Sequence, residues 1–157
     1  MELENRISKK ALKVWRISGI IKSVIGWIIV AFVYFLMQFF HWLIWVTFIA
    51  GGLGLIFSFL DIYLFPLLRW KYWRYEVREE EIELQGGVII KRRTLIPMVR
   101  VQHVDTVQGP IYRTYHLASV IVHTAATVHE IPALEEKEAD RLRISISKLA
   151  RVSDEDV

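Results

Sequence analysis

The sequence predicts an α+β membrane protein: a two-helix transmembrane hairpin, then a small antiparallel β-domain closed by a C-terminal helix. Three observations predict it. Of 157 residues, 54% are hydrophobic and 24% charged, with a mean hydropathy of +0.32. An apolar share above the ordinary, beside an ordinary charged share, requires the two kinds of residue to be segregated along the chain. They are: 38 consecutive residues between Lys22 and Asp61 carry no Asp, Glu, Lys or Arg. Beyond residue 69 the pattern changes to short β-prone runs broken by Gly, Pro and acidic turns, with one amphipathic stretch at the end. Disorder and a purely soluble single core are excluded.

The uncharged stretch would reach about 57 Å as one helix, against a hydrocarbon core of roughly 30 Å. It must fold back, and its polar interruption runs from Gln38 to His41. Spans are expected near 19–38 and 42–65, with Pro66 and the basic run from Arg69 closing the second. The resulting division is a basic segment at 1–18, the hairpin at 19–68, a domain at 69–151 and an acidic tail at 152–157.

Charge sets the orientation. Residues 1–22 hold Arg6, Lys9, Lys10, Lys13, Arg16 and Lys22 against Glu2 and Glu4, a net of +4. Arg69, Lys71, Arg74 and Arg78 follow the second span, and none lies in the turn. The positive-inside rule then puts both termini in the cytoplasm and the turn outside. Of 20 aromatic residues, 17 fall within residues 1–73, and Trp15, Trp27, Trp42, Trp45, Trp70 and Trp73 suit an interfacial belt. A cleaved signal peptide is not expected: the basic region is long and no small-x-small site follows Phe40.

Within 69–157 there are 14 Lys/Arg and 14 Asp/Glu, so the basic pI of 9.2 reflects topology and not a nucleic-acid face. Strands are expected at 72–78, 81–84, 88–96, 99–107, 117–124 and 128–131, an antiparallel meander or open barrel. Gln85, Gly86 and Gly87 signal a hairpin. Pro132 is expected at the first position of the last helix, with Glu135, Glu136 and Glu138 in its first turn. Ala139, Leu142, Ile146 and Leu149 give that helix its apolar stripe.

Three segments carry a resemblance: 84–97 (LQGGVIIKRRTLIP), 99–113 (VRVQHVDTVQGPIYR) and 117–125 (LASVIVHTA). Placed after two spans, they resemble the bacterial pleckstrin-homology-like membrane proteins of the membrane-flanked-domain family, in the layout of its small YdbS-like members. One departure is His116, where the family often has Gly. The resemblance implies a seven-stranded, strongly bent sheet with a C-terminal helix and no established enzymatic activity. It also implies an inner-membrane location and a partner with several such domains, in a complex serving envelope integrity, stress or antimicrobial tolerance. A homo-oligomer and a lipid-sensing module are the alternatives.

No catalytic constellation, cofactor site or metal site is expected. The chain has no Cys, and no Gly-x-Ser-x-Gly elbow accompanies His103 and Asp105, which share a strand face. His123 and His129 flank a turn but lack further ligands. The basic cluster Lys91, Arg92 and Arg93, with Arg100 across the next turn, is the candidate surface for anionic lipid or a partner. In the second span, Ala50, Gly54, Ser58 and Asp61 share one helix face. They are expected to pack on Gly19, Ser23 and Gly26 of the first span, with Asp61 pairing to Lys22 or Arg16.

The charge asymmetry predicts that a reporter fused at Val157 reads cytoplasmic and that a tag at His41 is labelled only from outside. External labelling of the C-terminal domain would reverse the orientation.

Overall fold

In a computed structural model, which describes residues 3, 5–39 and 45–155, the chain forms two compact units: Met1–Ala11 with Arg69–Val157, and Leu12–Leu68. Helix α1 runs Lys10–Phe39 and α2 runs Trp45–Phe59. A π-helical turn, Leu60–Leu64, joins α2 to α3, Phe65–Tyr72. Two stretches, Lys10–Gln38 of 29 residues and Trp45–Tyr72 of 28, are long and apolar enough to cross a membrane. Large apolar side chains such as Ile28, Phe35 and Phe57 stand outward on them, as lipid-facing residues would. The turn expected from Gln38 to His41 falls largely outside the described residues.

Pro66 does not close the second helix, as expected; it lies inside it. Proline at a helix interior clashes with the carbonyl four residues back. Here the wider π turn comes first, and the Phe65 N–H bonds to the Leu60 carbonyl. The helix absorbs the ring at that turn and continues to Tyr72.

Seven strands build the other unit among the described residues. β1 (Asn5–Arg6), β2 (Arg74–Val77), β3 (Glu81–Gly86) and β4 (Arg92–Pro97) form one antiparallel sheet in that order. A 3-10 turn at Met98–Arg100 leads into the second sheet, β5 (Val101–Val107), β6 (Leu117–Thr124) and β7 (Val128–Glu135). A short helix, α4 (Pro110–Thr114), joins β5 to β6, and α5 (Glu136–Glu155) packs over the second sheet. Leu3, Ile7, Tyr75, Ile82, Met98, Leu117, Val120, Val122, Ile131, Leu134 and Ile146 are buried together as its core. The Tyr75 hydroxyl donates to Glu138 Oε1 at 2.8 Å, tying β2 to α5. Burial, reinforced by that carboxylate, pushes the phenol well above its ordinary pKa.

Four expectations need correction. The N-terminal segment is not only a basic tail, because β1 pairs Asn5 with Tyr75 and Arg6 with Arg74. The strand expected at 88–96 begins at Arg92, since residues 88–91 form the tip of the β3–β4 hairpin. Pro132 lies in β7 and not at a helix start. The register slips there between Ala118 and Val120, so Pro132 and Ala133 together oppose Ser119 in a bulge, one of the few sheet sites open to proline. The acidic tail is helical as far as Glu155.

His116 sits between α4 and β6 at φ 53°, a left-handed conformation that favours glycine. His116→Gly is expected to hold or raise the unfolding free energy of the detergent-solubilised chain, by up to about 1 kcal/mol, read out by thermal melting. His116→Val, β-branched in the same conformation, is expected to lower it by about 1–2 kcal/mol. Equal melting of the two variants would remove the strain argument.

Candidate functional site

Three groups of side chains could carry function. The first is inside the helical hairpin. A Cβ on Gly19 would stand 2.6 Å from the Asp61 carbonyl oxygen, so the two backbones approach as closely as glycine permits. About two turns further along the pair, Gly54 faces the Trp27 ring, where a Cβ would lie 3.6 Å from the indole. Trp27 Nε1 donates to Ser58 Oγ at 3.2 Å. Gly54 and Ser58 thus face the first span, and Ala50 is half-buried a turn earlier on the same stripe. Gly26, Gly51 and Gly52 would meet nothing within 4 Å.

Lys22 and Asp61 line one cavity of about 210 Å³ with Trp27 and Ser58. The expected direct pair is not formed: among the described residues Asp61 reaches neither Lys22 nor Arg16 at ion-pair distance. The Arg16 guanidinium stands over the Tyr63 ring instead, 5.8 Å from its centroid. Register is therefore held by the Gly19 backbone contact and the Trp27–Ser58 bond. Trp27, read from the sequence as an interfacial residue, is an interhelical one.

The second group is the basic hairpin. Gly87 has φ +112°, and a Cβ there would collide with the Ile90 carbonyl, so the turn demands glycine. The tip exposes Ile89 at 87% and Ile90 at 68%. Lys91 Nζ lies 5.1 Å from the Tyr72 ring centroid. Arg93 is engaged elsewhere, since its Nε donates to the carboxylate of buried Glu83. Arg78 adds to this network, with Nε 2.9 Å from Glu76, Nη1 3.0 Å from Glu81 and Nη2 3.7 Å from Glu83. The Arg93 hydrogen bond holds the Glu83 carboxyl below the usual range against the opposing effect of burial. The register pairs Arg92 with Gly86 but Pro97 with Glu81, so Arg100 lies beyond the far end of β4, about 20 Å of strand from Lys91. The four basic residues do not converge on one phosphate pocket. Lys91 and Arg92 at the tip are the pair free to meet an external anion.

The third group was not assembled from the sequence. His123 does not face His129, which pairs across from Val122 and bonds Thr127 Oγ1 through Nε2 at 2.7 Å. His123 pairs across from His103 on β5, and their rings stack with centroids 4.1 Å apart and planes 13° apart. Asp105 Oδ2 lies 3.3 Å from His123 Nε2 and 3.6 Å from His103 Nε2. The shared face of His103 and Asp105 and the strand 117–124 were legible; the register that sets His123 across from His103 was not. Ser119 is buried opposite the β7 bulge, and no nucleophile–base pair forms with it among the described residues.

A split seven-stranded antiparallel domain, capped by one helix and attached to two apolar helices, defines a membrane-anchored module with a pleckstrin-homology-like fold. The Bacterial PH domain family matches residues 16–150, and the chain belongs to it. It is 52% identical over 154 residues to the UPF0699 transmembrane protein YdbS of Bacillus subtilis (strain 168), covering 98% of this chain and 97% of that protein. It is also 22% identical over 102 residues to the UPF0699 transmembrane protein YdbT of the same organism, covering 62% of this chain but 21% of that protein. No solved structure matches the chain significantly. Neither the family nor these relatives' names point to an enzymatic activity.

The hairpin geometry predicts that Gly19→Ala lowers stability in detergent by about 1–3 kcal/mol, because backbone cannot yield to the new methyl group. Gly26→Ala, with open space at its Cβ, is expected to leave the melting temperature unchanged or slightly raised. Equal losses in the two variants would show that the close approach at Gly19 does not hold the hairpin.

Proposed function

We propose that this chain is an integral protein of the bacterial cytoplasmic membrane, with both termini inside. Its pleckstrin-homology-like domain assembles with a larger membrane protein of the same family, in a complex serving envelope stress or antimicrobial-peptide tolerance. The observation that carries the assembly is the edge strand β4. It ends its sheet, and it and its flanks expose Ile89, Ile90, Leu95 and Val99. An edge with unpaired backbone groups and apolar side chains is a surface that proteins usually blunt, unless another chain covers it. The relatives support the kind of partner, since the same module matches nearly all of one membrane protein and a minor part of a longer one. The stress role rests on the family resemblance alone.

A second reading has its own observation. Ile89 and Ile90 beside Lys91 and Arg92 suit an anionic leaflet, where each nearby cation contributes about 1 kcal/mol without any pocket.

Co-expression with a YdbT-type relative, followed by purification in detergent and mass spectrometry, separates the two. Assembly predicts a stoichiometric protein partner whose recovery falls at least about tenfold in Leu95→Arg. If no partner is recovered, and co-purified anionic lipid falls in Lys91→Gln/Arg92→Gln, the lipid reading replaces it.

A further inference from the structure

We propose that His103, Asp105 and His123 form a binding site for a divalent transition-metal cation of the zinc class on the outer face of the second sheet. Four observations carry it.

One ligand atom from each residue lies within 4.8 Å of the others. The two separations from Asp105 Oδ2, 3.3 Å to His123 Nε2 and 3.6 Å to His103 Nε2, bracket the edge of a tetrahedron around zinc. For metal–ligand bonds near 2.1 Å that edge is about 3.4 Å. The two imidazoles are stacked in nearly parallel planes, 4.1 Å apart at their centroids, so a shared cation requires at least one ring to turn about its side-chain torsions until both nitrogen lone pairs converge.

The three side chains are also held by strands. β5 and β6 are paired from Val101 to Val107, with Val104, Val120 and Val122 buried on the opposite face. The register slips between Val101 and His103, so Gln102 is the extra residue of a bulge. Val101 and Val104 can then both face inward, although three apart, while His103 and Asp105 both face out. Bulges re-aim side chains in this way beside functional sites.

Charge favours a cation. Among the described residues the ion-pair partners of Asp105 are the two histidines, so no Lys or Arg neutralises it. Glu130 on β7 stands across Ile121 from Asp105 on the same face, adding a second carboxylate to the local field.

Access remains open. His103 and Asp105 are more than half exposed and His123 about a quarter, 28%. Three protein ligands leave a fourth position for water or for a group from outside, as in open zinc sites. Imidazole and carboxylate ligands select zinc, cobalt, nickel or copper over magnesium and calcium, which prefer all-oxygen shells.

The test uses the full chain in detergent, without a polyhistidine tag, titrated with Zn²⁺ by calorimetry and by competition with a chromogenic chelator. One Zn²⁺ per chain is expected, with Mg²⁺ and Ca²⁺ failing to compete and Co²⁺ giving the visible absorption of a tetrahedral site. His103→Gln, Asp105→Asn and His123→Gln are each expected to weaken binding at least about tenfold. His129→Gln, a histidine outside the cluster, should leave it unchanged. Zn²⁺ should also raise the melting temperature of the parent chain and not that of His103→Gln, since a ligand bound only to the folded state stabilises it. Binding that persists in His103→Gln and His123→Gln, or that falls equally in His129→Gln, overturns the proposal. So does an absence of stoichiometric binding to the parent chain.

Discussion

The pairing of Asn5 and Arg6 with Tyr75 and Arg74 is the constraint on which the architecture depends. It joins residues separated by the whole helical excursion into one sheet. Around it, Arg74 Nη1 donates to the Leu3 carbonyl at 3.4 Å, and the Ser8 amide donates to the Ala133 carbonyl at 3.1 Å. Lys10 pairs with Glu135 at 3.1 Å, while Leu3 and Ile7 are fully buried. The exposed ion pair adds little, whereas two buried aliphatic side chains contribute about 1.5–3 kcal/mol each. A chain whose two ends share a sheet must return to the side from which it left, so any crossing between them is even in number. Two apolar helices satisfy this, and the sheet pairing requires it independently of where the lysines and arginines lie.

Most of the fold was legible from periodicity and punctuation. The β6 run, 117–124, is the observed strand, and the hairpin glycines, the acidic turn after β2 and the stripe of α5 fall where the sequence put them. What was not legible depended on partners distant in sequence. The two residues of β1 have no strand signal of their own; they are extended because β2 pairs with them. Pro66 and Pro132 read as stops, but a π turn and a bulge let the elements run past them. Of the candidate site residues, Gly54 and Ser58 were readable from their spacing. The contact that fixes the hairpin, Gly19 against the Asp61 carbonyl, is a backbone approach and leaves no side-chain signature beyond a single glycine.

The basic residues divide by what already neutralises them. Arg78 and Arg93 stand over buried Glu83, and removing either would leave that carboxylate less well paired. They are structural charges of the first sheet, and their Coulomb field outside the protein is largely cancelled. Lys91 and Arg92 have no such acidic partner among the described residues and stand beside the apolar tip. Counting charges in the sequence could not separate the two pairs, because the separation depends on β4 register: Arg93 lies across from Gln85 and diagonal to Glu83, while Arg92 faces the other way.

The two bulges of the second sheet show why its irregularities and its candidate chemistry coincide. A regular β5 would send Val101 and Val104 to opposite faces, leaving one valine in water or one outward residue in the core. The extra residue at Gln102 resolves that conflict in favour of burial, and its by-product is a carboxylate and an imidazole side by side under His123. In β7 the extra residue has the opposite consequence. Ala133 takes φ 54° and is buried, and its carbonyl turns to accept the Ser8 amide instead of continuing the ladder. One bulge thus points chemistry outward, and the other recruits the N-terminal segment that makes β1 possible. Both follow from apolar burial overriding the two-residue alternation of a strand, which is why alternation alone could not reveal either.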